Sequence, residues 1–134
     1  MEDGTTTSLR NLCDTDDGRD TRRILDLIGD KWSLLVIHTL EQGTLRFSEL
    51  RRLIEAISQR VLTRTLRQLE RNGLVTRTVV PTIPPKVSYA LTPLGLSMLE
   101  AVRPLLVWAV ENRALIERAA HNFDRHAVEM RAEA

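Results

Sequence analysis

"SQRVLTRTLRQLERNG", residues Ser58 to Gly73, places arginine at positions 60, 64, 67 and 71. Steps of four, three and four, at about 100° per helical residue, gather those side chains within an arc of about 60°. Leu62, Leu66 and Leu69 fall on the opposite side, with Val61 at the margin. Glu70 is the only acid in the stretch. A solvated helix face normally mixes its charges. A purely guanidinium stripe opposite a leucine stripe therefore fits an anionic partner.

The flanking segments set that helix in a pattern. Upstream, "TRRILDLIG" (21–29) reads as a short apolar helix ended by Gly29. "DKWSLLVIHTLEQG" (30–43) reads as a second helix with Asp30 as N-cap and Gly43 at its end. "TLRF" (44–47) suits a short strand, and "SELRRLI" (48–54) a short helix capped by Ser48. A three-residue turn, "EAI", leads to Ser58, which caps the arginine helix until Asn72-Gly73 stops it.

Downstream, "LVTRTVV" (74–80) and "KVSYALT" (86–92) read as strands joined by "PTIPP" (81–85). Prolines cannot donate to a ladder, but they stiffen a hairpin tip. Thr92-Pro93 restarts a helix with proline at its first position, and this helix is expected to end near residue 120 with a kink or a break at Pro104. Residues 1–18 are expected to be a mobile tail and 121–134 a frayed one, leaving 19–120 as the domain. A short helix, a tight turn, a basic helix and a hairpin make a helix-turn-helix with a β-hairpin wing, mainly α in class.

Bulk numbers agree with one domain. A chain of 134 residues buries roughly two-thirds of its unfolded surface. No unbroken apolar run approaches the roughly 20 residues of a membrane span, and the polar "MEDGTTTSLR" lacks a signal-peptide core. A single cysteine, Cys13, excludes an intramolecular disulfide framework and points to the reducing cytoplasm.

Net charge is +1, but its distribution is uneven. Between Thr44 and Tyr89 stand nine basic residues against Glu49, Glu55 and Glu70, so that segment is +6 and the remainder −5. The basic middle is the footprint of a nucleic-acid module.

Arginine binds guanine or phosphate bidentately, and glutamine can do the same for adenine. Residues near the start of the second helix reach deepest into the major groove. Gln59, Arg60, Thr63 and Arg64 are accordingly assigned to base edges, and Arg67 and Arg71 to the backbone. Ser58 adds a phosphate contact beside its capping role. Arg77 and Lys86 on the hairpin, with Arg46, Arg51 and Arg52, supply further backbone contacts.

Other chemistry finds little support. "DTDDGRD" (14–20) misses the calcium-loop spacing, because Gly18 comes one residue early and Leu25 occupies the twelfth position. His38, His121 and His126 do not combine with Cys13 at any metal-ligand spacing, and His38 reads as a hydrogen-bonded core or interface residue. No phosphate loop, nucleophile elbow or carboxylate pair appears, so neither enzyme activity nor a cofactor is expected. Two alternatives stay open. A winged helix can serve as a protein-interaction module, which would favour apolar residues on the outward helix face. Cys13 can act as a redox sensor, although its neighbouring carboxylates would raise the thiol's pKa.

"LDLIGDKWSLLVIHTL" (25–40), "RFSELRR" (46–52), "ISQRVLTRTLRQLERNGLV" (57–75) and "VVPTIPPKVSYALTPLG" (79–95) resemble, in order, the signature blocks of the HxlR-type winged-helix transcriptional regulators, relatives of the MarR group. The resemblance covers about residues 20 to 118. It implies a homodimer, formed through the N-terminal and the long C-terminal helices (about 20–29 and 93–120), on a pseudo-palindromic duplex operator. The apolar inventory of Ile24, Leu27, Ile28, Leu105, Leu106 and Trp108 points the same way. Repression is the simpler expectation, since occluding a promoter needs only tight binding. Several members carry a sensing cysteine about ten residues before "IG", where this sequence has Arg19. A small-molecule effector would find room near Trp32 and Trp108.

Overall fold

The computed structural model describes residues 16–133. In chain order the elements are α1 (Asp16–Gly29), α2 (Lys31–Thr39), a 3-10 turn (Leu40–Gln42), β1 (Leu45–Arg46), α3 (Phe47–Leu53), α4 (Gln59–Arg71), β2 (Val75–Val80), β3 (Lys86–Leu91) and α5 (Pro93–Glu133). The chain divides into two units, one ending at Leu99 and the other starting at Glu100.

The first unit is built round α4. Leu62, Thr65, Leu66 and Leu69 are buried along one side of that helix. They belong to a core with Val36, Ile37 and Leu40 of α2 and the 3-10 turn, Leu50 of α3, and Leu74, Val75 and Tyr89 of the sheet. Thr65 is the member that the leucine pattern did not announce. Full burial of one such leucine is worth about 1.5–3 kcal/mol, so the leucine side of α4 is costly to replace.

Between α3 and α4 the turn is closed by two buried residues, Ile54 and Ile57. Ala56 between them takes φ 69°, an uncommon conformation for a residue with a Cβ. Ser58 then caps α4: its Oγ accepts a hydrogen bond from the Val61 N–H at 3.1 Å. Replacing Ser58 by alanine is expected to lower stability by about 1 kcal/mol. A shift of the urea midpoint with unchanged slope would register the loss, and an unmoved midpoint would deny the cap its role.

The wing is regular. β2 and β3 run antiparallel from Val75 opposite Leu91 to Val80 opposite Lys86, leaving residues 81–85 as the tip. β1 adds a third strand, with Leu45 opposite Tyr89 and Arg46 opposite Ser88, giving the order β1-β3-β2. At the end of α4, Gly73 takes φ 76°, where a glycine pays no steric penalty. The Thr92 hydroxyl donates to the Gly73 carbonyl at 2.6 Å and accepts from the Gly95 N–H at 3.0 Å. One side chain thus ties the start of α5 to the end of α4.

The structure departs from the sequence reading in several places. The first turn of α3 begins at Phe47, and Glu49 accepts from the Arg46 N–H at 3.1 Å, so Ser48 is not the cap. His38 is not a core residue; its side chain is 57% exposed and its ring lies 3.9 Å from Glu41. α1 starts at Asp16, earlier than expected. α5 runs through Pro104 to Glu133 rather than ending near 120. Residues 105–133 contain no glycine or proline and many good helix formers, and Arg113 lies 3.9 Å from Glu117 one turn on.

α5 is also long and apolar enough, by length and composition, to cross a membrane. Counting unbroken apolar runs missed it because Glu100 and Arg103, 3.3 Å apart, interrupt the stretch. Cys13 lies outside the described residues.

Candidate nucleic-acid interface

With its leucines buried, α4 turns the remaining side chains outward. Gln59, Arg60, Arg64, Arg67 and Arg71 are all exposed, and Thr63 is half-buried. No ion pair or hydrogen bond among the described residues engages the guanidinium of Arg60, Arg64, Arg67 or Arg71. Four arginines on three turns without a carboxylate partner repel one another, a cost that an anion removes.

Gln59, Arg60, Thr63, Arg64, Arg67 and Arg71 line a shallow hollow along the helix together with Gln68. A second hollow lies between the first turn of α4 and the wing. Arg46, Gln59, Thr63, Arg77 and Lys86 meet there, with Phe47, Ser48 and the wing-tip residues Thr82, Pro84 and Pro85. Arg77 also lies beside Thr63, Arg67 and Tyr89 in a smaller depression under the sheet. Arg51 and Arg52 flank Gln59 from α3.

The candidate contacts predicted from sequence thus fall on the outer face of α4, the rim of α3 and the wing. Ser58 is exposed at the start of the helix, where its oxygen accepts from the Val61 N–H and its O–H stays available to donate. Thr63 donates its hydroxyl proton to the Gln59 carbonyl at 2.8 Å, which leaves its oxygen as an acceptor. Two residues were missed. Gln68 stands four residues after Arg64 and three before Arg71, so helical spacing alone would have placed it on the stripe. Ser48 had been set aside as a cap and instead faces Gln59 across the second hollow.

The apolar residues expected at a subunit interface are described unit by unit. In the first, Ile24 is exposed and Leu27 and Ile28 are half-buried. In the second, Leu105 and Trp108 are exposed and Leu106 is half-buried. Among the described residues no cluster of three His, Cys, Asp or Glu could hold a metal ion.

Comparison with known proteins bears on this geometry. Residues 27–117 match the family model described as HxlR-like helix-turn-helix. An HTH-type transcriptional regulator of Methanothermobacter thermautotrophicus is 52% identical over 81 residues, covering 60% of this chain and 62% of that protein. A solved structure of the transcriptional regulator YtfH from Salmonella typhimurium has a TM-score of 0.68 at 36% identity, covering 74% of this chain and 90% of that one. The redox regulator HypR in its reduced form gives 0.67 at 38% identity, covering 74% of this chain and 98% of that one.

Proposed function

This chain belongs to the HxlR-like helix-turn-helix family of DNA-binding transcriptional regulators, which are not enzymes, and from that premise we propose that it represses transcription as a homodimer on a pseudo-palindromic operator. In this reading α4 lies in the major groove, with Gln59, Arg60, Thr63 and Arg64 at base edges and Arg67 and Arg71 on the backbone. The wing carries Lys86 and Arg77 to the adjacent phosphates. Two copies related by a two-fold axis read half-sites about 10 base pairs apart.

The observation that carries the proposal is the unpartnered arginine row on α4. An interaction module would bury an apolar outward face, and α4 has none. Ile24, Leu105 and Trp108, exposed in a single copy, support association of two chains. A regulator working on chromosomal DNA also belongs in the cytoplasm.

Titration of labelled duplex at several salt concentrations tests it. Affinity is expected to fall steeply as salt rises, because each neutralised phosphate releases a counterion. A flat response would return the protein-interaction alternative to first place. Lys86→Ala should lower affinity for operator and random duplex alike and reduce the salt slope by about one unit. A changed sequence preference in that variant would contradict a phosphate role for Lys86.

A further inference from the structure

The family match ends at residue 117, yet α5 continues for four more turns to Glu133. Beyond the match the helix is not merely polar. Ile116, Ala120, Phe123, Ala127 and Met130 follow one another in steps of four and three, within an arc of about 80°. That alternation is the seam of a coiled coil. Ile116 is 50% exposed, Phe123 73% and Met130 58%, so nothing in a single copy covers them. A lone helix of this length gains most of its stability from packing an apolar face.

We propose that residues 117–133 pair with the same residues of a second copy as a short antiparallel coiled coil. The order of sizes along the seam selects the direction. Its large residues occupy one heptad position (Ile116, Phe123, Met130) and its alanines the other (Ala120, Ala127). Run antiparallel and centred between Phe123 and Ala127, every inner layer sets large against small: Phe123 on the partner's Ala127, and Met130 on the partner's Ala120. Run parallel, the layers would alternate alanine on alanine with phenylalanine on phenylalanine, one too loose and the next too wide.

The charges beside the seam select the same direction. The antiparallel pairing puts Glu117 next to the partner's Arg131, twice by symmetry. Glu117 is held within its own chain only by Arg113, at 3.9 Å with both side chains exposed. Arg131 forms no ion pair among the described residues. Asp124 and His126 each meet their own copy at the two flanks near the axis, both contacts open to solvent. The parallel arrangement offers no attractive pair and brings His126 beside the partner's Arg131. Off the seam, Leu115 and Val128 stay exposed in either direction.

This pairing goes beyond the operator-binding reading, and its test involves no DNA. Two full-length variants, A120C and M130C, are made in a Cys13→Ser background and expressed alone and together. After mild oxidation, a disulfide-linked dimer is expected only when the two variants are co-expressed. Self-linking of either variant alone would establish a parallel pairing and overturn the proposal. So would the absence of any link in the co-expressed pair whose circular dichroism retains the helical signal of the unsubstituted chain.

Discussion

Arg64→Ala is expected to weaken binding to the specific operator by about 1–3 kcal/mol, roughly five- to 150-fold, and to relax the base preference at one position in each half-site. Arg64 sits in the second turn of α4, where a recognition helix still reaches base edges. Its guanidinium is exposed and has no partner to hold it back. It lines the hollow along the stripe and also the cleft toward α1, beside Ile24 and Leu27. No substitution at the wing should match this effect on specificity, because phosphate contacts position without discriminating. Competition titrations with operator and random duplex measure the difference. An equal loss on both would move Arg64 from base reading to phosphate binding.

Gly95→Ala carries the largest expected effect on stability. Gly95 stands in the first turn of α5, where a Cβ would fall on the carbonyl oxygen of Leu74, well inside contact distance, and close to the Leu91 side chain. The obstacle is backbone, and that backbone is held. The Leu74 carbonyl accepts from the Thr92 N–H at 3.1 Å, and Thr92 also bonds the Gly73 carbonyl and the Gly95 N–H. The helix start must move away or the end of α4 must give. Forcing an extra carbon into such a contact costs about 3 kcal/mol, a drop of roughly 10 °C in melting temperature for a chain of this size. Thermal unfolding followed by circular dichroism reads it directly. A melting temperature within about 2 °C of the parent would show that this approach is soft.

Where the amino-acid pattern and the fold agree, one strong local signal faces one packing environment. α4 is the clearest case. Its leucines and arginines alternate at helical period, so the buried and outward faces are separable from the letters alone. The wing follows from two β-type runs around a proline-rich tip. The family resemblance, confirmed over residues 27–117, extended that legibility to the order of all the elements.

What escaped was decided in three dimensions. Ser48 looks like a cap because serine usually caps. The cap falls two residues earlier, at Arg46, whose N–H donates to Glu49. Ala56 adopts a positive φ that its residue type does not advertise. His38 sits among apolar neighbours in sequence yet falls on the outward side of α2. The end of α5 was misjudged because polar residues at the close of a chain suggest fraying. The spacing from Ile116 to Met130 says otherwise once a second helix is allowed to cover it. Cys13, outside the described residues, keeps the redox alternative at the level of sequence.

Everything functional rests on α4 entering the major groove with Arg60 and Arg64 on bases. The measurement closest to that claim is methylation protection at guanine N7 on an operator recovered from bound genomic fragments, with the full-length protein and with Arg64→Ala. The expected result is protected guanines in two clusters about 10 base pairs apart, with at least one guanine in each cluster re-exposed by the substitution. A fully bound operator whose guanine N7 positions all react as in free DNA would contradict it.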